Sequence, residues 1–198
     1  MICKDDKIIH KFDQSLYKEM VSLAIIRHGY PFTYVEHEGN RDLHMFLNEE
    51  CKRISRNTAK NHVIRIHNRE KQRLREFMLN VPRNICLTSD MWTSIVDQGY
   101  LSLTAHYIDD EWNLHAKLLS FCHVEPPHTA LVLHNIVLDL LKEWRIVKKV
   151  FSITLDNART NDNMQEYLAE SLSLLCTLPC DGNYFHVRCS AHILNLIV

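Results

Sequence analysis

Apolar positions recur at helical spacing through roughly the first 80 residues and change to strand-like alternation beyond them. Residues 13–29 predict a helix. Asp13 can cap its start, Leu16, Met20, Leu23 and Ile26 share one face, and Gly29 with Pro31 ends it. "PFTYVEHEGNRDLHMFLNEEC" reads as a turn followed by a short helix. From Lys52 to Arg75, Val63, Ile66 and Leu74, continued by Phe77, keep helical spacing beneath a basic outer face, which predicts an amphipathic helix. The break at "NVPRN", residues 80–84, divides an all-helical module (1–80) from a second part (81–198).

In that second part "NICLTSD" reads as a strand ending on Asp90. "GYLSLTAHYID" alternates, with Leu101, Leu103, Ala105 and Tyr107 on one face and Ser102, Thr104 and His106 on the other. "DDEW" turns the chain into "WNLHAKLLSFCHV", so residues 99–124 predict an antiparallel hairpin. "PPHTALVLHNIVLDLLKEWRI" predicts a helix with a Leu133, Ile136, Leu140, Trp144 stripe, and Trp92 and Trp144 read as core aromatics. Then come the strand "KVFSITLD", the helix "NDNMQEYLAESLSLL", the short strand "YFHVRC" and a last helical run. The order β-β-β-α-β-α-β-α predicts an α/β fold, a mixed sheet covered by helices.

The 46% hydrophobic and 24% charged content is that of a globular chain. With 23 basic and 24 acidic residues the net charge is −1, so a basic nucleic-acid surface would have to be local. The first twelve residues lack a signal-peptide core, and no apolar run approaches the roughly 18 residues of a membrane span. These features predict a soluble intracellular chain with no membrane partner. The seven cysteines are odd in number and irregularly spaced, which favours reduced thiols over a disulfide framework. The closing "CSAHILNLIV" is apolar and carries no helix stop, which predicts that the natural sequence continues.

Asp90 and Asp156 each close an apolar strand and precede polar or turn-forming residues. Ligand sites of open α/β sheets gather at strand ends. If the two strands are parallel neighbours, both carboxylates come within reach of one hard divalent cation. A pair of such ions can drive phosphodiester chemistry, although a third carboxylate would be expected. The competing reading is that both aspartates cap the following turns or helices, and spacing alone favours it.

"LTSDMWTS", "GYLSLTAHYIDDEW", "PPHT", "KVFSITLDNARTND" and "FHVRCSAHILNLIV" stand in an order that resembles the hAT-superfamily transposases, above all the plant zinc finger BED domain-containing proteins of the RICESLEEPER and DAYSLEEPER type. The resemblance extends to "PFTYVEHEG" and "SRNTAK", hence over nearly the whole chain. It implies a ribonuclease-H-like core, incomplete here, whose carboxylate triad holds two divalent ions, Mg²⁺ or Mn²⁺. The first acid falls on Asp90 and the second on Asp156; the third, a glutamate, would lie beyond Val198. The family's C-x-x-H element falls on Cys189 and His192, near the active site. Cys176, Cys180, Cys189 and His192 also form a C-x3-C-x8-C-x2-H run, but it fits no common zinc spacing, so zinc is not expected.

The basic segment carries nine Lys or Arg against one Glu. Lys52, Arg53, Arg56, Lys60, Arg65 and Arg69 are candidates to face DNA phosphates, against the ordinary reading of a solvated charged face. In the family this region belongs to a helical module for DNA binding and subunit interlocking, which implies DNA and homo-oligomeric partners and a nuclear location. Two departures from the family pattern stand out: Arg159 replaces a small residue after "DNA" and could contact phosphate, and Ala130 replaces a glycine after "PHT". His128 of "PPHT" reads as structural. The BED finger and the dimerisation region have no counterpart among these residues. A chain with two of three carboxylates is expected to be inactive alone. The alternatives are a domesticated, non-catalytic DNA-binding regulator and a remnant that barely folds.

Overall fold

The computed structural model describes residues 11–82, 84–95, 98–176, 178–195 and 197. The amino-terminal stretch with Cys3, and Arg83 of the 80–84 break, lie outside the described residues. The chain forms two compact units, one up to Arg73 and one from Leu74.

The first unit is helical. Helix α1 (Gln14–His28) starts where Asp13 accepts hydrogen bonds from the backbone N–H groups of Ser15 (2.7 Å) and Leu16 (3.3 Å). It ends at Gly29, whose φ of 64° suits a residue without Cβ. Its buried face corrects the expected one. Val21 and Ile25 join Val35, Ile54 and Ala59 in a small core, with Tyr17, Tyr34 and Val63 packed on it. Leu16, Met20 and Ile26 are exposed, Met20 to 62%. Apolar residues cover a broad arc of the helix, so its own periodicity does not choose between neighbouring stripes. Tyr17 decides it, because its hydroxyl reaches His44 Nδ1 at 2.8 Å on α2 (Glu38–Leu47) and turns the 17–21–25 stripe inward.

Helix α3 runs from Arg56 to Asn80, starting later than the expected 52–75 segment. Ser55 Oγ accepts the Thr58 backbone N–H at 3.2 Å, an N-cap that leaves Lys52 and Arg53 in the preceding loop. From Leu74 onward α3 belongs to the second unit.

That unit is built on a five-stranded mixed sheet in the order β3-β2-β1-β4-β5. The strands are β1 (Ile85–Thr93), β2 (Gly99–Ile108), β3 (Leu114–Val124), β4 (Val150–Leu155) and β5 (His186–Arg188). β1–β2 and β2–β3 pair antiparallel, as the hairpin pattern predicts; β1–β4 and β4–β5 pair parallel. Helices α4 (Ala130–Glu143) and α5 (Arg159–Leu175) supply the crossovers, and α6 (Ser190–Asn195) follows β5. The alternation of β2 translates directly into burial of Leu101, Leu103, Ala105 and Tyr107. These join Leu87 and Ile153 of the sheet with Leu133, Val137, Leu141, Met164, Leu168 and Leu172 of the helices in one core. Each fully buried leucine there contributes roughly 1.5–3 kcal/mol. Trp144 is core as expected, whereas Trp92 is 41% exposed. It lies on the opposite side of β1 from Leu87, among the rings of Tyr100 and Phe121.

Candidate active site

Parallel pairing sets the site. Leu87 pairs with Ile153 and Thr88 with Thr154, so two residues further along each strand direction stand Asp90 and Asp156, on the side of Thr88 and Thr154. β4 does end just before Asp156, as expected. β1 does not end at Asp90. It continues to Thr93 because β2 still pairs with it, Asp90 opposite Ser102 and Trp92 opposite Tyr100. Asp90 therefore stands just past the end of the paired β1–β4 stretch, with one neighbour strand remaining and open space on the other side.

That space is a cavity of about 360 Å³ lined by Thr88, Asp90, Ser102, Thr154 and Asp156 of the sheet region, with Cys189 and His192 beside them. The Cys189 backbone N–H donates to the Leu155 carbonyl at 2.8 Å, which brings the C-x-x-H segment against the end of β4. Both members of that element thus reach the same cavity as the aspartates. Asp90 is exposed; Asp156 is half-buried and anchored. Asp156 Oδ1 accepts the Ala158 backbone N–H at 3.1 Å and a bond from the Asn161 side-chain amide. The capping role and the cavity-facing role are therefore combined in Asp156, where spacing alone had set them against each other.

The donor set suits a hard divalent cation: two carboxylates, with threonine and serine hydroxyls around them and room for water. Among the described residues no three His, Cys, Asp or Glu side chains converge as a ready-made ligand set. Cys176 instead reaches the Val147 carbonyl (3.7 Å) at the end of α5, and Cys180 sits exposed in a short turn.

The basic candidates are distributed differently from the expectation of one open face. Arg56 is engaged by Glu36, through its backbone N–H at 2.9 Å and its guanidinium at 2.8 Å. These bonds, the backbone one first, hold the Glu36 carboxyl below its ordinary pKa. Arg69 is shared between Glu19 at 2.8 Å and Glu70 at 2.9 Å. Sequence counting missed this because two of the three acids come from outside the basic segment. Lys52, Arg53, Lys60 and Arg65 are exposed. Arg159 is exposed at the first turn of α5 and does not line the aspartate cavity, because the helix carries it outward while Asn161 turns inward.

Three features were not singled out from sequence. Asn161 is one; the only hint was its place in the first turn of the helix after Asp156. A second is the hydroxyl lining from Thr88, Ser102 and Thr154, legible as the polar side of each alternation. The third is an aromatic group on the same sheet face as Asp90, in which Tyr100 and Phe121 stack at 5.5 Å with Trp92 5.2 Å from Phe121. His128 Nε2 lies 3.0 Å from the Val124 carbonyl. It also lines a smaller cavity of about 160 Å³ on the Asn161 side of Asp156.

Residues 88–184 match the ZBED1 RNase-like domain. Over 197 residues the chain is 37% identical to a protein of Zea mays named AC transposase, covering 98% of this chain and 24% of that protein. It is 32% identical over 187 residues to zinc finger BED domain-containing protein RICESLEEPER 2 of Oryza sativa subsp. japonica, 94% of this chain and 26% of the relative. It is 29% identical over 154 residues to zinc finger BED domain-containing protein DAYSLEEPER of Arabidopsis thaliana, 78% of this chain and 22% of the relative. The chain thus spans about a quarter of the length of these relatives. With its five-stranded mixed sheet and its match to an RNase-like domain over residues 88–184, the chain is similar over most of its own length to the AC transposase, RICESLEEPER and DAYSLEEPER proteins.

Proposed function

We propose that these residues supply two of the carboxylates of a hAT-type transposase active site, Asp90 and Asp156, which hold Mg²⁺ or Mn²⁺ for phosphodiester cleavage and strand transfer on DNA. The observation that supports this reading most directly is the matched parallel register that sets both aspartates on one cavity. Bound divalent ions supply activation of the attacking oxygen and stabilisation of the leaving one. The protein's share is orientation and exclusion. The Ala158 N–H and the Asn161 amide fix Asp156 against rotation, and the hydroxyls of Thr88, Ser102 and Thr154 offer hydrogen bonds to water or phosphate oxygens in the cavity. Two carboxylates leave most coordination positions to water. The 198 residues alone are therefore inactive in this reading, and a DNA-nicking assay with Mn²⁺ returns no cleavage above that of an Asp90→Ala control.

The names of the relatives support DNA as the partner and the nucleus as the location. Lys52, Arg53, Lys60 and Arg65 are the phosphate-contacting candidates, while Arg56 and Arg69 act mainly as partners of Glu36, Glu19 and Glu70. Homo-oligomerisation of the full-length protein belongs to the same proposal.

The test is thermal melting with and without Mn²⁺. Ligand at about 100 times its Kd adds roughly 2.7 kcal/mol, which for a chain of this size raises Tm by several degrees. That rise should vanish in Asp90→Asn and in Asp156→Asn. An equal rise in all three proteins would sink the ion-site reading. A second reading, a non-catalytic DNA-binding regulator, is favoured by relatives that carry zinc finger BED-domain names rather than transposase names. It expects DNA affinity unchanged by Asp156→Ala and reduced by a Lys60→Ala, Arg65→Ala double variant.

A further inference from the structure

Asp156 lies between two cavities: the larger shared with Asp90, the smaller lined by His128, Leu133, Thr160 and Asn161. A carboxylate so placed could turn either way, and the two hydrogen bonds to its Oδ1, one of them from a side chain, decide the matter. Asn161, on the first turn of α5, is 8% exposed. Its side-chain amide donates to Asp156 Oδ1, the oxygen that also accepts the Ala158 N–H. Its own backbone N–H goes to the Ala158 carbonyl at 2.9 Å, so the helix start holds the asparagine rigidly. Leucine or alanine would fill part of the space without the donor. Aspartate would oppose Asp156 with a like charge.

Building on the ion-site reading above, we propose that Asn161 is the positioning residue of that site: by holding Oδ1 toward α5 it presents Asp156 Oδ2 to the cavity shared with Asp90, and so sets affinity for the divalent cation. Outer partners that orient a ligating carboxylate typically change metal affinity by about 10–100-fold when removed. The effect here sits at the lower end, because the Ala158 N–H still restrains Oδ1.

The experiment measures Mn²⁺ affinity of the whole chain by isothermal titration and by paramagnetic broadening of amide signals, for wild type, Asp90→Ala, Asp156→Ala, Asn161→Ala, Asn161→Leu and Thr160→Ala. The expected result is binding that broadens signals around residues 88–90 and 154–156 and is abolished by either aspartate change. Asn161→Ala and Asn161→Leu should weaken it about tenfold, while Thr160→Ala, one residue away in the same turn, leaves it at the wild-type value. Asn161→Leu keeps the heavy-atom count and branching of the side chain and serves where the alanine variant melts too low. If the aspartate variants lose binding but both Asn161 variants keep wild-type affinity, with only a lowered Tm, Asn161 is merely structural and the inference falls while the ion site stands. If binding is absent from wild type, or indifferent to the aspartate changes, both fall together.

Discussion

Lys149, just before β4, offers the sharpest stability prediction. Its Nζ donates to two carbonyls of the last turn of α3, Met78 at 3.2 Å and Leu79 at 2.5 Å, and to that of Val81 just past it at 2.6 Å. The last carbonyls of a helix have no partners within it, and a cation there also meets the negative end of the helix dipole. Of the three bonds, those to Met78 and Val81 are partly buried and that to Leu79 is exposed. Lys149→Met keeps the apolar stem and removes the donors. The Leu79 carbonyl can turn to water, which makes its loss nearly neutral. The other two lose a charged donor where water enters less easily, at roughly 1–3 kcal/mol each. Burial lowers the Lys149 pKa, so the ammonium already gives up some hydration free energy in the folded state. Together the two bonds are worth a net loss of about 3 kcal/mol. For a chain of this length it corresponds to a fall in Tm of roughly 6–12 °C. Urea unfolding followed by far-ultraviolet circular dichroism and tryptophan fluorescence gives the value directly. A midpoint within error of wild type, at unchanged m-value, would show that water replaces the ammonium at all three carbonyls and would refute the reasoning.

Two further outcomes follow from local geometry. Asp109 ties the β2–β3 turn by accepting from His115 Nε2 at 2.7 Å, from the Asn113 and Glu111 backbone N–H groups at 2.8 and 3.0 Å, and from the Asn113 side-chain amide at 3.2 Å. These bonds, His115 first, hold its carboxyl at about 2 against an ordinary 3.8. Because the folded value lies below the unfolded one, the contribution is complete above 3.8 and is lost as pH falls through about 2. The Tm difference between wild type and Asp109→Ala should close over that window, and a difference independent of pH would count against the carboxylate. Gly99 leaves no room for a side chain: a Cβ there would lie 2.6 Å from His128 Cε1 and 2.9 Å from the Val124 carbonyl oxygen. Gly99→Ala should destabilise by about 1–3 kcal/mol, and His128→Ala in the same chain should recover part of it. Additive losses in a double-mutant cycle would exclude the clash.

The fold was largely legible because the burial rules that shape it act locally. The alternation of 99–108 and the apolar run of 150–155 each require a sheet face or a sheet interior, and the turn residues between them fix the element order. Legibility failed where several local solutions were equally good. Helix α1, apolar over a broad arc, buried the Tyr17 stripe in place of the Met20 one, and Trp92 stayed at the surface because β1 outran its parallel partner. Charge counting along 52–75 also failed, since Glu36 and Glu19 arrive from elsewhere in the chain.

By itself the sequence determined that Asp156 would stand at the end of a strand and that a C-x-x-H element would follow the last strand, whereas the strand end it suggested at Asp90 falls at Thr93 instead. Whether those groups meet depends on strand order and register, which are properties of the assembled sheet. Only the tertiary structure set Thr88 beside Thr154, carried Asp90 and Asp156 to one cavity and closed the Asn161 bond onto Asp156. The physical reason is that hydrogen bonding between strands acts at long sequence separation, where no local spacing specifies the partner.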